Sequence, residues 1–168
     1  MLPAATTKLN GKFEYALLRY KACDFFDAVQ ATCAAQPERG GILIGSYRGP
    51  HIEVADYTEP GRKDIASLSS FERVDESHQR AATDAWRRSD STSTYVGEWH
   101  SHPSGPPHPS NLDRQTWQAV VTRLNTPCLF VIASPTAWQV FRILGTKPLT
   151  DVVPLTRIEQ GTTGIVFR

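Results

Sequence analysis

Sulfur is scarce in this chain: 168 residues carry three cysteines and one methionine. Cys23, Cys33 and Cys128 are odd in number, unrelated in spacing and flanked by apolar or small residues. That pattern argues against a disulfide framework or a four-cysteine zinc site and leaves them as reduced core residues. Charge of one sign is equally lacking, since 18 Lys and Arg stand against 17 Asp and Glu for a formal net charge of +1. With no basic excess and no basic stripe, the chain has no electrostatic pull toward nucleic acid or an anionic membrane surface. Long apolar runs are missing as well. The stretch CLFVIA at 128–133 falls far short of the roughly 20 residues a membrane helix requires. The opening MLPAATTKLNGKFEY has no basic segment followed by an apolar core, so it does not read as a secretory signal and the expected compartment is the cytoplasm.

What is present is a soluble-domain composition, 40% hydrophobic and 21% charged, in a length suited to one domain spanning 1–168 with its core at about 12–145. KFEYALLRY at 12–20 reads as an opening strand. Phe25, Val29 and Cys33 fall four apart in the segment 24–36, which predicts an amphipathic helix with Asp24 as its N-cap. Two strands, 42–47 and 51–57, follow around the turn Arg48-Gly49-Pro50. Residues 58–70 are polar and aperiodic, a loop that is either a flap facing substrate or a solvated connection. Val74, His78, Ala82 and Trp86 are in helical phase within 71–88. A strand at 93–101, a helix at 110–124 and strands in CLFVIAS and AWQVFRILG complete the order. Strand and helix in this alternation predict an α/β domain with a mixed sheet and helices on its faces.

The chemistry concentrates in GEWHSHPSGPPHPSNLDRQTW at 97–117. Side chains alternate along a strand, so His100 and His102 share a face about 6–7 Å apart and can reach one ion. A catalytic zinc uses three protein ligands and leaves a position to water. Asp113 becomes the third ligand if the proline-rich loop 103–109 folds back. Ser110-x-x-Asp113 also fits a capping box at a helix start, and one residue pair can serve both purposes.

H-x-H, seven residues, S, two residues, D is the JAMM signature, and on it the chain resembles the JAB/MPN/Mov34 metalloprotease family. ERGGILIG at 38–45 is similar to the upstream element that carries that family's catalytic acid. The resemblance implies a single JAB/MPN domain with a curved mixed sheet flanked by helices, of cytidine-deaminase-like form. It implies zinc held by His100, His102 and Asp113, with Glu38 as the proton carrier and Ser110 as an oxyanion donor. The implied reaction is hydrolysis of the bond after the C-terminal tail of a ubiquitin-like or otherwise conjugated protein, reversing conjugation by E1- and E2-like partners. Among family members the chain looks most like compact bacterial ones, including the deconjugating peptidase of anti-phage operons built around a cyclic-nucleotide synthase.

Competing readings are a non-catalytic scaffold of the same fold, a DNA-repair-associated relative of the RadC type, and a hydrolase of small-molecule or sulfur-carrier adducts. Glu98 shares the strand face of the two histidines, so alternation alone would nominate it as base or ligand, whereas the resemblance points to Glu38. His108 reads as a solvated loop residue, Trp99 as core, and Trp117 as either core or the rim of the site.

Overall fold

The computed structural model describes residues 14–143 and 152–168. The lead segment 1–13 and the positions 144–145 that close the expected core therefore lie outside the described residues. The elements are β1 (Ala16–Arg19), α1 (Tyr20–Thr32), β2 (Gly40–Arg48), β3 (His51–Tyr57), β4 (Ile65–Ala66), β5 (Phe71–Glu72), α2 (Ser77–Arg88), β6 (Thr94–Ser101), α3 (Asn111–Leu124), β7 (Cys128–Ala133), β8 (Trp138–Ile143), β9 (Val153–Pro154), β10 (Arg157–Gln160) and β11 (Gly164–Phe167). No helix among the described residues is long and apolar enough to cross a membrane.

Nine strands form one mixed sheet in the order β10-β11-β1-β3-β2-β6-β7-β8-β9, and β4 with β5 makes a separate small hairpin. Among the described residues only β1 with β3 and β6 with β7 pair in parallel. Strand β7 shows why both faces must be covered. Leu129, Val131 and Ala133 enter the cluster around Phe26 and Val29 of α1, while Phe130 and Ile132 enter the one around Trp117 and Val121 of α3. A continuous apolar run with period-two alternation therefore buries both faces, as expected for a strand with helices above and below. Helix α2 joins α3 on the second face, where Ala82 packs on Ile42 and Ile44 of β2. The three cysteines are free and buried, as their apolar neighbours predict.

Three expected boundaries shift. Helix α1 starts at Tyr20, four residues ahead of Asp24, with Arg19 at the N-cap and no side-chain cap bond. Of the strand expected at 12–20, residues 12–13 lie outside the described residues, 14–15 are not paired as strand, and β1 ends at Arg19 as the chain turns into the helix. Helix α2 begins only at Ser77. Phe71 and Glu72 belong to β5, and Val74 is half exposed instead of packed. The tail IEQGTTGIVFR, without strong periodicity of its own, supplies β10 and β11, and β11 pairs antiparallel with β1 to bury Ile165 and Phe167.

Candidate active site

The site gathers where β6 ends. Strand β6 runs parallel to β7, and the connection between them passes through the proline-rich loop and α3, so the N-terminus of α3 lies near the carboxyl end of β6. In open α/β sheets this end of the strands is the usual place for ligands. Strand β2 lies on the other side of β6, antiparallel, with Gly40 opposite His100. That register carries Glu38, two residues before β2, to the same end of the sheet as the histidines. The link is tightened by Ser101 N–H donating to Arg39 O at 2.7 Å and by Arg39 N–H donating to Ser101 Oγ at 2.9 Å.

Helix α3 opens with a reciprocal cap. Asp113 N–H donates to Ser110 Oγ at 3.1 Å, and Ser110 N–H donates to Asp113 Oδ2 at 2.7 Å. The Ser110 hydroxyl donates to the same carboxylate oxygen at 2.6 Å. Two orphan amides are thereby satisfied and the carboxylate is held in one orientation. In that orientation Asp113 Oδ1 lies 3.2 Å from His100 Nε2 and Oδ2 lies 3.5 Å from His102 Nε2, with the two Nε2 atoms 3.0 Å apart. All three side chains are largely buried, at 11%, 16% and 17% exposure.

These distances test whether a metal fits. A tetrahedral ion with ligands at about 2.0–2.1 Å separates its donor atoms by about 3.3 Å. The 3.0 Å between the two Nε2 atoms, and the 3.2 and 3.5 Å from them to the two different carboxylate oxygens, lie around that edge, and the donor set of two imidazoles and one carboxylate suits a divalent transition ion. The arrangement is compatible with a metal ion held by His100, His102 and Asp113. With the proton on Nδ1, each histidine would turn its Nε2 lone pair to the same point as the carboxylate.

Glu38 is 9% exposed. Burial is the largest influence on its carboxyl and, against the opposing attraction of His100 and His102, leaves its pKa raised. Asp113 behaves oppositely. Burial alone would raise its pKa, but the adjacent imidazoles of His100 and His102 and the Ser110 hydroxyl outweigh it and hold the carboxyl far below the usual range when no metal is bound. One acid at this site thus keeps its negative charge firmly and the other holds a proton more readily. Such a division suits a ligand beside a proton carrier.

Glu98 is otherwise engaged. It is ion-paired with Arg73, from the segment after β5, and accepts a hydrogen bond from Tyr95 Oη at 3.1 Å. It lines the same cleft as the histidines, and its charge is already matched by a cation. Trp99 projects to the opposite face of β6 into the core, as alternation predicts. Trp117 is both core and wall. It stacks on Phe130 at 4.5 Å between ring centroids and lies 5.9 Å from the His100 ring. His108 is exposed on the loop. The cleft over these residues measures about 650 Å³, bounded on one side by Leu68 and Phe71 of the 58–70 segment and its hairpin and on the other by Leu112 and Thr116 of α3. Neither Arg73 nor Phe71 stood out in the sequence, because an isolated FER carries no motif and only the hairpin brings it to the site.

Residues 28–144 match the family model described as prokaryotic homologs of the JAB domain. The chain belongs to this prokaryotic JAB-domain family. A protein of Vibrio cholerae serotype O1 named "CD-NTase/cGAS isopeptidase" is 35% identical over 124 residues, 74% of this chain and 76% of the relative. Proteins of the same name from Escherichia coli and Pseudomonas aeruginosa are 31% and 36% identical, covering 71% and 64% of this chain and 74% and 70% of theirs. The solution structure of a Desulfitobacterium hafniense protein superposes with a TM-score of 0.57 over 88% of this chain and 95% of that one, at 23% identity, and shows the shared fold. A JAB domain with relatives so named is a hydrolase.

Proposed function

We propose that the chain, as a single JAB domain over 1–168, is a zinc-dependent isopeptidase. It would cleave the bond between the C-terminal carbonyl of a conjugated protein and an amine on its target. The observation that carries this reading is the convergence of His100, His102 and Asp113 on one point beside the buried Glu38, at the floor of an open cleft. Kinship to proteins named CD-NTase/cGAS isopeptidase supports a nucleotidyltransferase of that class as the conjugated partner. The setting would be a cytoplasmic anti-phage system in which E1- and E2-like enzymes make the conjugate that this chain removes.

Zinc bound by His100, His102 and Asp113 would supply Lewis acidity, polarising the scissile carbonyl and lowering the pKa of water toward about 7. Glu38 accepts the proton of the attacking water and returns it to the leaving amine. Its raised pKa favours that second delivery. Ser110 holds Asp113 in place, and rotation of its hydroxyl away from Oδ2 would direct the same proton to the oxyanion. An extended tail would lie in the cleft between the Leu68 and Leu112 sides, pairing by main-chain hydrogen bonds with the edge of the β4–β5 hairpin.

The test is a conjugate of a CD-NTase to a lysine-bearing acceptor, with zinc content measured on the same samples. Glu38→Gln should lower kcat by a factor of roughly 10² to 10⁴ with metal retained. Asp113→Ala should lose both metal and activity. A Glu38→Gln variant as active as the wild type, with Glu98→Gln inactive, would transfer the base role to Glu98. Full zinc loading of Asp113→Ala would remove it from the ligand set.

A further inference from the structure

The 59–76 connection poses a packing problem. It overhangs the cleft, yet Ile65 and Leu68 are 59% and 62% exposed, and its hairpin is only two residues per strand. Burial of Ile65 and Leu68 does not hold it down. A buried polar cluster outside the catalytic centre does.

The Asp64 carboxylate, 2% exposed, accepts four hydrogen bonds. Gly61 N–H donates to Oδ2 at 2.7 Å, while Val74 and Asp75 N–H donate to Oδ1 at 2.8 Å each. His78, 1% exposed on α2, meets Oδ2 through Nε2 at 2.8 Å. One carboxylate therefore ties the start of the connection, its end and a helix together. Burial opposes the charge of Asp64, and the bonds from His78 and the backbone outweigh that opposition to hold its pKa low. The other ring nitrogen, Nδ1, lies 2.5 Å from Thr58 Oγ1, which also accepts Ile42 N–H of β2 at 3.0 Å. A neutral imidazole with its proton on Nε2 satisfies every partner: Nε2–H donates to Asp64 and Thr58 O–H donates to Nδ1. The backbone of Thr58 completes the anchor. Its carbonyl accepts Trp99 Nε1–H at 2.9 Å, and its N–H donates to Ile42 O at 3.0 Å. A Cβ on Gly41 would lie 2.1 Å from that carbonyl, so the close approach requires glycine there.

The segment so fastened reaches the site at three points. Ser67 O accepts Glu38 N–H at 2.7 Å, Phe71 lies over Gly40 where a Cβ would come within 2.6 Å of its ring, and Arg73 pairs with Glu98.

We propose that Thr58, His78 and Asp64 form a buried positioning unit that fixes the 59–76 connection over the cleft and so sets the affinity for the conjugated protein, without taking part in the chemistry. Unlike a solvated loop, a segment held by a fully satisfied polar network is rigid before substrate arrives, so little ordering entropy remains to be lost on binding. The proposal rests on the isopeptidase reading only for its kinetic consequence. The mechanical claim stands on the network alone.

The test compares wild type with Asp64→Asn, His78→Gln and Thr58→Val in the full zinc-loaded chain. Amide hydrogen exchange over 61–75 should accelerate by roughly tenfold or more while exchange in β7 stays as in the wild type. With the CD-NTase conjugate, KM should rise by roughly tenfold while kcat and zinc content change little, the signature of lost binding without lost chemistry. Thr58→Ser, which keeps the hydroxyl, should behave as wild type. Should Asp64→Asn fail to fold, His78→Gln and Thr58→Val decide, the latter because it removes one hydroxyl in a position of similar volume. Unchanged exchange over 61–75 in both His78→Gln and Thr58→Val would overturn the proposal, as would a fall in kcat or zinc at constant KM. If the wild type does not cleave the conjugate, the isopeptidase reading fails and the exchange measurement still decides the positioning unit.

Discussion

The Ser110 hydroxyl caps α3, and the proposed mechanism gives the same hydroxyl a second role as oxyanion donor; its replacement separates the two quantitatively. In Ser110→Ala the bond accepted from Asp113 N–H at 3.1 Å and the bond donated to Asp113 Oδ2 at 2.6 Å both vanish, while Ser110 N–H still reaches the carboxylate. Loss of the cap alone costs about 1 kcal/mol. For a domain of this size that is a fall in Tm of about 2–4 °C, to be read in excess chelator so that metal binding does not contribute. Loss of an oxyanion donor is a different magnitude, a factor of roughly 10²–10³ in kcat or about 2.7–4 kcal/mol. Ser110→Gly sharpens the comparison, because glycine at an N-cap costs only a few tenths of a kcal/mol yet lacks the hydroxyl. The expected result is that Ala and Gly variants fall equally in kcat, with zinc bound, while only Ala loses measurable stability. Both variants within about fivefold of wild-type kcat, equivalent to about 1 kcal/mol, would refute the catalytic role and leave Ser110 as a cap. Loss of zinc in both would show instead that the cap acts by holding Asp113.

Trp117→Ala should destabilise the chain by about 3–5 kcal/mol through the cavity left beside Phe130 and Phe141, and should weaken zinc binding by freeing the His100 ring; Trp117→Phe with equal loss in both would argue against that packing role. Glu53 is buried, which by itself raises its pKa, but hydrogen bonds from Arg48 and Arg19 reverse the shift and hold it low. Its contribution to stability is then present above the unfolded carboxyl's ordinary 4.5 and is lost as pH falls through the lower folded value. Glu53→Gln should accordingly destabilise at pH 7 and narrow the gap to wild type as pH drops toward 3, followed by denaturant unfolding; a gap constant with pH would rule the charge out as the cause. Burial pushes the Cys128 thiol to about 12 and Cys23 to about 11, so neither should react with a thiol reagent in the native state at pH 8, and all three cysteines should react once unfolded. Rapid labelling of the native chain would contradict the packing around β7.

Elements whose signal is local were legible. The helix at 110–124 carries its own cap in Ser110 and Asp113, the strand at 128–133 is apolar throughout, and the hairpin 42–57 turns at Gly49, whose φ of +60° glycine adopts without strain. Elements whose signal is tertiary were misplaced. Asp24 has cap chemistry, yet the helix starts at Tyr20, and Ala22 and Cys23 ahead of Asp24 are already buried against the sheet without any side chain capping the end. Val74 is in phase with His78, but Asp64 captures the amides of Val74 and Asp75 and keeps that stretch out of the helix. Glu98 shows the same limit at the site. Alternation aims it at the cleft, and nothing within a few residues announces Arg73, which meets its charge.

By itself, then, the sequence determined the strand–loop–helix segment that holds His100, His102 and Asp113 within 13 positions, together with the cap that orients Asp113. Those relations depend on strand alternation and helix-end chemistry, which act over a few residues. The tertiary structure decided what surrounds that segment. Glu38 arrives beside it because β2 lies next to β6 with Gly40 opposite His100, a pairing whose closest ties, Arg39 to Ser101, span 62 positions. The 59–76 connection beside the cleft is tied together by its own Asp64, which bonds Gly61 and Val74 at its two ends and His78 of α2. Such neighbours are chosen by which sheet order buries both faces of β7 and β2 at once, a condition on the whole chain that no short stretch encodes.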